Sequence, residues 1–280
     1  MIKLIGVAGA FAAQYLPNAL DLQQGRKRMG IVVEPIELDA ETLQGFDRYV
    51  LAAEAVMADT AVQATGFLWS GAKPERTQQL RKGTVLAEYW DGGRSPLAVA
   101  QGLIHDWVGA IFVPDRTVKQ VVALIQDYPN HKNIYKPEVI ESGVVSRNGD
   151  SFQIYLRLLK KKIITVVLDT YHDVLYSWPA LNRGSCTSHS TQIQEVEHAG
   201  TPKEITSPPD KGYGFLWRLY SYWRFEETEG GVVVECRAIS LSRDVPSGLG
   251  WAINPIVRNL PKESLIHTLE ATRNGLVKLS

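Results

Sequence analysis

The chain of 280 residues is 45% hydrophobic and 21% charged, with a formal net charge of zero and a pI near 7.0. That composition describes a globular chain with apolar residues enough for one large domain or two small ones, and it carries no mark of disorder. Without net charge there is no global field toward nucleic acid; the dense basic run Lys160-Lys161-Lys162 is too short for that role and reads as a solvated turn, allowing at most a transient contact with anionic lipid.

At the N-terminus, Lys3 precedes the apolar stretch Leu4 to Ala13, and Ala8-Gly9-Ala10 and Ala10-Phe11-Ala12 offer small-x-small patterns. Two readings stand: a short secretory signal with a thin positive region, or a first helix docked on the surface. Localisation is correspondingly open between cytoplasmic and secreted or periplasmic. No segment reaches the roughly 20 apolar residues needed to span a bilayer as a helix. Residues 18 to 37 read as a tether, so that 1–38 forms a signal-like segment and tether.

From Asp39 to about Asp59 the spacing predicts a helix with Leu43, Phe46, Val50, Leu51, Ala53 and Val56 close to one face and Asp47 and Glu54 on the polar side. A shorter helix follows from Pro74 to Arg81. Lys82 to Trp90 reads as a strand ending in the turn Asp91-Gly92-Gly93. Asp106 to Phe112 is a strand, and Thr117 to Asp127 a helix with Val118, Val121, Val122 and Ile125 on its apolar face. Asn130 to Tyr135 is a short helix stopped by Pro137. Six strands come next. Val139 to Ser146 and Ser151 to Leu159 flank Asn148-Gly149, a pair suited to a tight hairpin because both central positions need positive φ. Leu168 to Trp178 and Ser185 to Glu197 follow, while the link Lys160 to Val167 lacks turn residues. Last come GFLWRLYSYWRFEE from Gly214 and GVVVECRAISLSR from Gly231, joined at Thr228-Glu229-Gly230-Gly231.

In this final pair, alternation places Phe215, Trp217, Leu219, Trp223 and Phe225 on one face, opposite the small residues Cys236, Ala238 and Ser240. Large rings beside small residues leave room under a sheet. The terminal helix, Pro261 to Leu279, repeats Leu265, Leu269, Thr272, Leu276 and Leu279 at helical spacing, with Pro261 in its first turn. Gly275 interrupts it, and marks either a close approach or fraying. Cys186 and Cys236 fall on strands separated by a third, about 10 Å apart, beyond disulfide reach.

Strand, helix, helix, six strands and a long helix is an order that resembles the START-like or SRPBCC superfamily, the helix-grip fold of polyketide cyclase-like and lipid-transfer proteins. The segments that carry it are DWVGAIFVP, LIQDYPNHKNIYKPEV, the Asn-Gly hairpin, FLWRLYSYWRFEE, and SLSRDVPSGLGWAINPIVRNLPKESL. The resemblance implies an α+β fold over residues 104–280, in which a curved antiparallel seven-stranded sheet wraps the C-terminal helix and leaves a cavity between them. Residues 39–103 fall outside it, as an N-terminal extension of helices plus a strand.

Signatures of phosphate-binding loops, dinucleotide folds, zinc proteases and serine hydrolases are absent, and the six histidines show no metal-ligand spacing, so neither a cofactor nor a metal is predicted. Under the helix-grip reading, alternation turns Leu156, His172, Tyr176, Trp217, Ser221, Trp223 and Ser240 inward, facing Leu269, Thr272 and Leu276 from the helix. Arg157, Asp173, Arg218, Arg224, Glu235 and Arg237 fall on the opposite, solvated face as cross-strand ion pairs, although a bulge before Arg157 would turn it inward toward a carboxylate or phosphate. The predicted function is binding or carriage of a small hydrophobic or amphipathic molecule (a lipid, isoprenoid or polyketide-like aromatic). Trp217, Trp223 and Tyr176 are its apolar contacts, and His172 or Arg157 orients it. Two alternatives stand beside it: a cyclase or dehydratase with His172 as general base and Tyr176 as donor, and a non-catalytic interaction module working through the extension.

Overall fold

A computed structural model describes residues 34–62, 66–90, 96–161, 165–244 and 250–277, with side chains for all of these but 59–62 and 250–258. The signal-like stretch, the turn at Asp91-Gly92-Gly93, residues 162–164 and Leu279 lie outside the described residues. In chain order the elements are β1 (Ile36–Glu37), α1 (Ala40–Val62), α2 (Pro74–Arg81), β2 (Leu86–Tyr89), β3 (Leu97–Val99), β4 (Gly102–Pro114), α3 (Val118–Gln126) and α4 (His131–Ile134). They continue with β5 (Val139–Asn148), β6 (Ser151–Lys161), β7 (Thr165–Ala180), β8 (Arg183–Glu197), β9 (Ile205–Thr206), β10 (Lys211–Gly212), β11 (Arg218–Thr228), β12 (Gly231–Arg243) and α5 (Gly250–Val277).

The seven long strands pair antiparallel in the order β4-β12-β11-β8-β7-β6-β5; β2, β3 and β9 add short edges, making a ten-stranded sheet. The Asn148-Gly149 hairpin closes with Asn148 opposite Ser151. Cys186 and Cys236 both sit opposite Trp223, on either side of β11, and both are free and buried. Thr117 caps α3 in a reciprocal box with Gln120, which fixes where that helix begins.

Curvature follows from what α5 touches. Leu265 and Leu269 lie against Gly109 of β4, while Ser264 accepts a hydrogen bond from Lys160 of β6, at 2.7 Å. These strands are five places apart in the sheet, so one helix reaches both only if the sheet bends round it. Leu265, Leu269 and Leu276 join one core with Trp107, Phe152, Tyr176, Trp223 and Val234, side chains from five strands. The helix begins at Gly250, so Pro261 lies within it and not in its first turn. Gly275 is a close approach: a Cβ there would meet Leu124 Cδ1 of α3 at 2.9 Å.

The outer face is where sequence expectation needs correcting. It is not solvated at Arg224, Glu235 and Arg237, because α1 and the segment before α2 cover it. Phe46, Val50, Ala53 and Met57 form the buried stripe of α1, packing on Ile104, Ile239 and Leu241, whereas Leu51 and Val56 face solvent. Glu54, expected among solvated groups, accepts a hydrogen bond from Tyr222 at 2.8 Å. Arg224 donates to the carbonyls of Phe67 and Met57, and Glu235 accepts the backbone N–H groups of Trp69 and Ser70. These bonds are how buried charges on a sheet face are satisfied once a second layer excludes water.

Gly109 tests the grip directly. A Cβ there would lie 2.7 Å from Leu269 Cδ1 and 2.8 Å from the Leu86 carbonyl oxygen. Gly109→Ala is therefore expected to destabilise the protein by about 1–3 kcal/mol through overpacking, read as a lowered urea midpoint. An unchanged midpoint would mean that α5 is not pressed on β4.

Candidate functional site on the inner face

Ladder register shows which side chains share the inner face. Across β4, β12, β11, β8 and β7, one row runs Trp107, Ala238, Ser221, Ser188, Val174, and the next runs His105, Ser240, Leu219, Ser190, His172. Ala238, Ser221 and Ser188, side by side on three neighbouring strands, stay only half-buried. Their neighbours Trp107, Cys236, Cys186, Ser240, His172 and Val174 are buried. Three small side chains with accessible surface, bordered by buried ones and by the half-buried Leu219, mark the part of the inner face that is least filled.

His172 borders that part. Its Nδ1 lies 3.4 Å from Ser188 Oγ, and its Nε2 is buried without a hydrogen-bond partner among the described residues. Burial, reinforced by nearby His189, pushes its pKa down to about 4, so the ring is neutral near pH 7. Whichever nitrogen carries the proton, one hydrogen-bonding valence is left over. At the far end of the same row, His105 holds Ser242 Oγ at 3.1 Å through Nε2, and its Nδ1 and the neighbouring Trp107 Nε1 are likewise buried and unpartnered. Burial also lowers the His105 pKa to about 4. Sequence reasoning missed His105, since its predicted strand began one residue later.

The remaining expected residues divide cleanly. Trp223, stacked on Phe225 with centroids 6.2 Å apart, lies on the inner face with Tyr176, Leu269 and Leu276, all within the main core. Leu156 is half-buried against that core. Thr272 is buried and bonded to Tyr135 Oη and the Thr268 carbonyl. Ser221 and Ser240 sit in the two rows described.

Trp217 is displaced from its expected place. It packs with Ile104, Ile239 and Leu241 on the outer side, because regular pairing of β11 begins only at Arg218, and Leu216 joins Leu219 in its stead. Arg157 is also on the outer face. The two bulges at this edge lie in β5, whereas β6 pairs with β7 without a break, which sets Arg157 opposite Asp169. Asp169 accepts from its Nε at 2.7 Å and its NH2 at 2.9 Å, Glu204 takes a further bond at 3.0 Å, and Tyr155 donates to Asp169.

His172 and Tyr176 do not form an acid–base pair. Four residues apart on one strand, they are separated by about 13 Å. Tyr176 instead shares a 2.8 Å hydrogen bond with Tyr128, and burial drives its hydroxyl pKa far above the ordinary value. Burial pushes the Cys186 thiol up to about 12, so no thiolate nucleophile is available there at neutral pH.

A seven-strand antiparallel sheet in this order, bent round a C-terminal helix, decides the architecture. The fold is an α+β helix grip. Among solved structures this helix grip is similar to a STAR-related lipid transfer protein from Xanthomonas axonopodis (17% identity, TM-score 0.42, covering 65% of this chain and 96% of that one). It is also similar to a START superfamily protein from Mycobacterium smegmatis (15%, TM-score 0.40, 63% and 99%) and to the Zhui aromatase/cyclase from a Streptomyces species (8%, TM-score 0.39, 62% and 94%). No protein-family model and no curated protein matches the chain. No helix among the described residues is long and apolar enough to cross a membrane.

Proposed function

We propose that this protein binds a small hydrophobic or amphipathic molecule between the inner face of the sheet and α5. The observation that carries the reading is the half-buried floor of Ala238, Ser221 and Ser188, bordered by buried side chains, beside the Nε2 of His172, which has no partner among the described residues. Apolar walls at Leu156, Leu219 and Trp223 supply area, at roughly 25 cal/mol per Å² of apolar surface removed from water. His172 supplies direction. Tight helix–sheet contact at Gly109 and Leu269 supports one end of the site, so a ligand enters a preformed space and orders little chain on binding.

The test is native mass spectrometry of the purified full chain, followed by organic extraction and identification of what is released. A bound mass lost on extraction is the expected result, and Ser221→Phe, which fills the floor, should purify empty with its fold intact. A wild-type chain that is empty and gains no thermal stability from a library of lipids and aromatics would overturn the proposal.

A further inference from the structure

Resting on that binding reading, the inner face also limits what the ligand can carry. β4, β7 and β12 turn no carboxylate, lysine or arginine inward along their register. On β6, β8 and β11 such groups stand at or near strand ends. Lys160 holds Glu138 and Ser264; Glu195 takes the N–H groups of Tyr213 and Phe215; Glu227 caps α3 at the Val118 N–H. Glu197 is the last residue of β8. Lys262 of α5 lies over the Trp107 ring at 5.4 Å, above β4, four strand places from His172.

On the edge strand β5, Arg147 lies over the inward Phe152 ring at 4.6 Å, exposed beside the hairpin turn; the arginines of the inner strands face the other way. Arg157 and Arg237 are paired with Asp169 and Asp106, Arg218 with Asp210, and Arg224 with two carbonyls. Around the buried His172 Nε2 stand Ile154, Ser190, Ser188, Val174 and Thr170, and the Thr170 hydroxyl is spent on the Leu156 carbonyl. A charged head group placed there would lose its water and meet no counter-charge among the described residues, a cost of several kcal/mol. An uncharged acceptor or donor would satisfy the one valence left over and nothing more is required.

We infer that the bound molecule meets His172 with an uncharged hydroxyl or carbonyl group, so that the ligand class is a neutral alcohol or ketone and not a carboxylate, phosphate or amine. The Nδ1 of His105 at the other end of the row, without a partner among the described residues, is of the same kind, a second uncharged contact for a molecule long enough to reach it.

The experiment is displacement of an apolar fluorescent dye from the full chain by four compounds of one chain length: a primary alcohol, a methyl ketone, a carboxylic acid and an amine, at neutral pH. The alcohol and ketone are expected to bind at least about tenfold more tightly than the acid and amine. His172→Phe should erase that preference while the dye still binds, and His172→Gln, which keeps an uncharged hydrogen-bonding group, should retain most of it. An acid or amine that binds as well as the alcohol, or a preference that survives in His172→Phe, overturns this inference and leaves the binding reading standing. Failure of the dye and all four compounds to bind overturns both.

Discussion

Asp106→Ala is expected to cost about 3–5 kcal/mol of stability, the loss typical of one partner removed from a buried ion pair. Asp106 projects from the outer face of β4. It accepts from Arg237 Nε at 2.9 Å and NH2 at 2.5 Å, and from Tyr49 Oη at 2.7 Å. Both members of the pair are 4% exposed at their side chains, and the guanidinium lies 3.9 Å from the centroid of Trp90. Without the carboxylate a guanidinium is stranded under a protein layer, and its NH1 already lacks a partner among the described residues. Tyr49→Phe removes a single bond to a charged group and should cost less, about 1.5–3 kcal/mol. The double variant Asp106→Leu, Arg237→Met should recover most of the Asp106→Ala loss, since the penalty arises from the unpaired charge more than from the pair. Urea midpoints at constant m-value measure all three. An Asp106→Ala loss below about 1 kcal/mol would show that water reaches Arg237, and that α1 does not seal the outer face.

That seal explains how unevenly the sequence could be read. Alternation in GVVVECRAISLSR and the Asn-Gly turn led to the right ladder because each depends only on local geometry. The separation of Cys186 and Cys236 by one strand followed from the order of hairpins, which short connections enforce. The fate of the outer face was not local. Arg224, Glu235 and Arg237 look like solvated strand residues until α1 and residues 67–70 are known to lie over them, and nothing in either segment alone names the other. Trp217 failed for a smaller reason, the one residue by which it precedes regular pairing, and period-two reasoning has no way to locate that onset. Arg157 illustrates the converse: bulges exist at this edge, but they are in β5. Within the candidate site, His172, Ser221 and Ser240 were legible from alternation, while His105 and Ser188 became visible only through register. Ser188 sits on a strand whose inward set the sequence did not specify, and its importance lies in being small next to two other small residues.

Acidification should destabilise the protein steeply, because three histidines are held neutral by the fold. Burial lowers the pKa of His105, His131 and His172 each to about 4, from the ordinary value of 6.5. Between these values the unfolded chain binds more protons than the folded one, so stability rises with pH across the window. It is fully present above about 6.5 and is lost as pH falls toward 4. A shift of this size corresponds to about 3 kcal/mol per group at the acid end, and three such groups rival the 5–15 kcal/mol net stability of a typical protein. Glu235 works in the opposite sense. Burial raises its pKa despite the N–H groups it accepts, so the fold favours its protonated form and recovers part of the loss in acid. Urea midpoints taken between pH 7.5 and 4.5 should therefore fall, with a slope of about three protons from these rings and a further part from His189, whose pKa burial also lowers. His131→Asn should lower that slope by about one proton: His131 lies between Tyr128 and Tyr135, with Nε2 2.8 Å from the Ile125 carbonyl oxygen, and is not among the residues proposed to meet the ligand. His172 separates the two roles. Its contribution to the slope should grow when the space above Ser188 and Ser221 is filled by a neutral molecule, because a ligand bonded to the uncharged ring raises the cost of charging it. A midpoint that stays flat from pH 7 to 5 would mean that the buried rings find water or a carboxylate when protonated, and would remove the neutral imidazole from the account of the site.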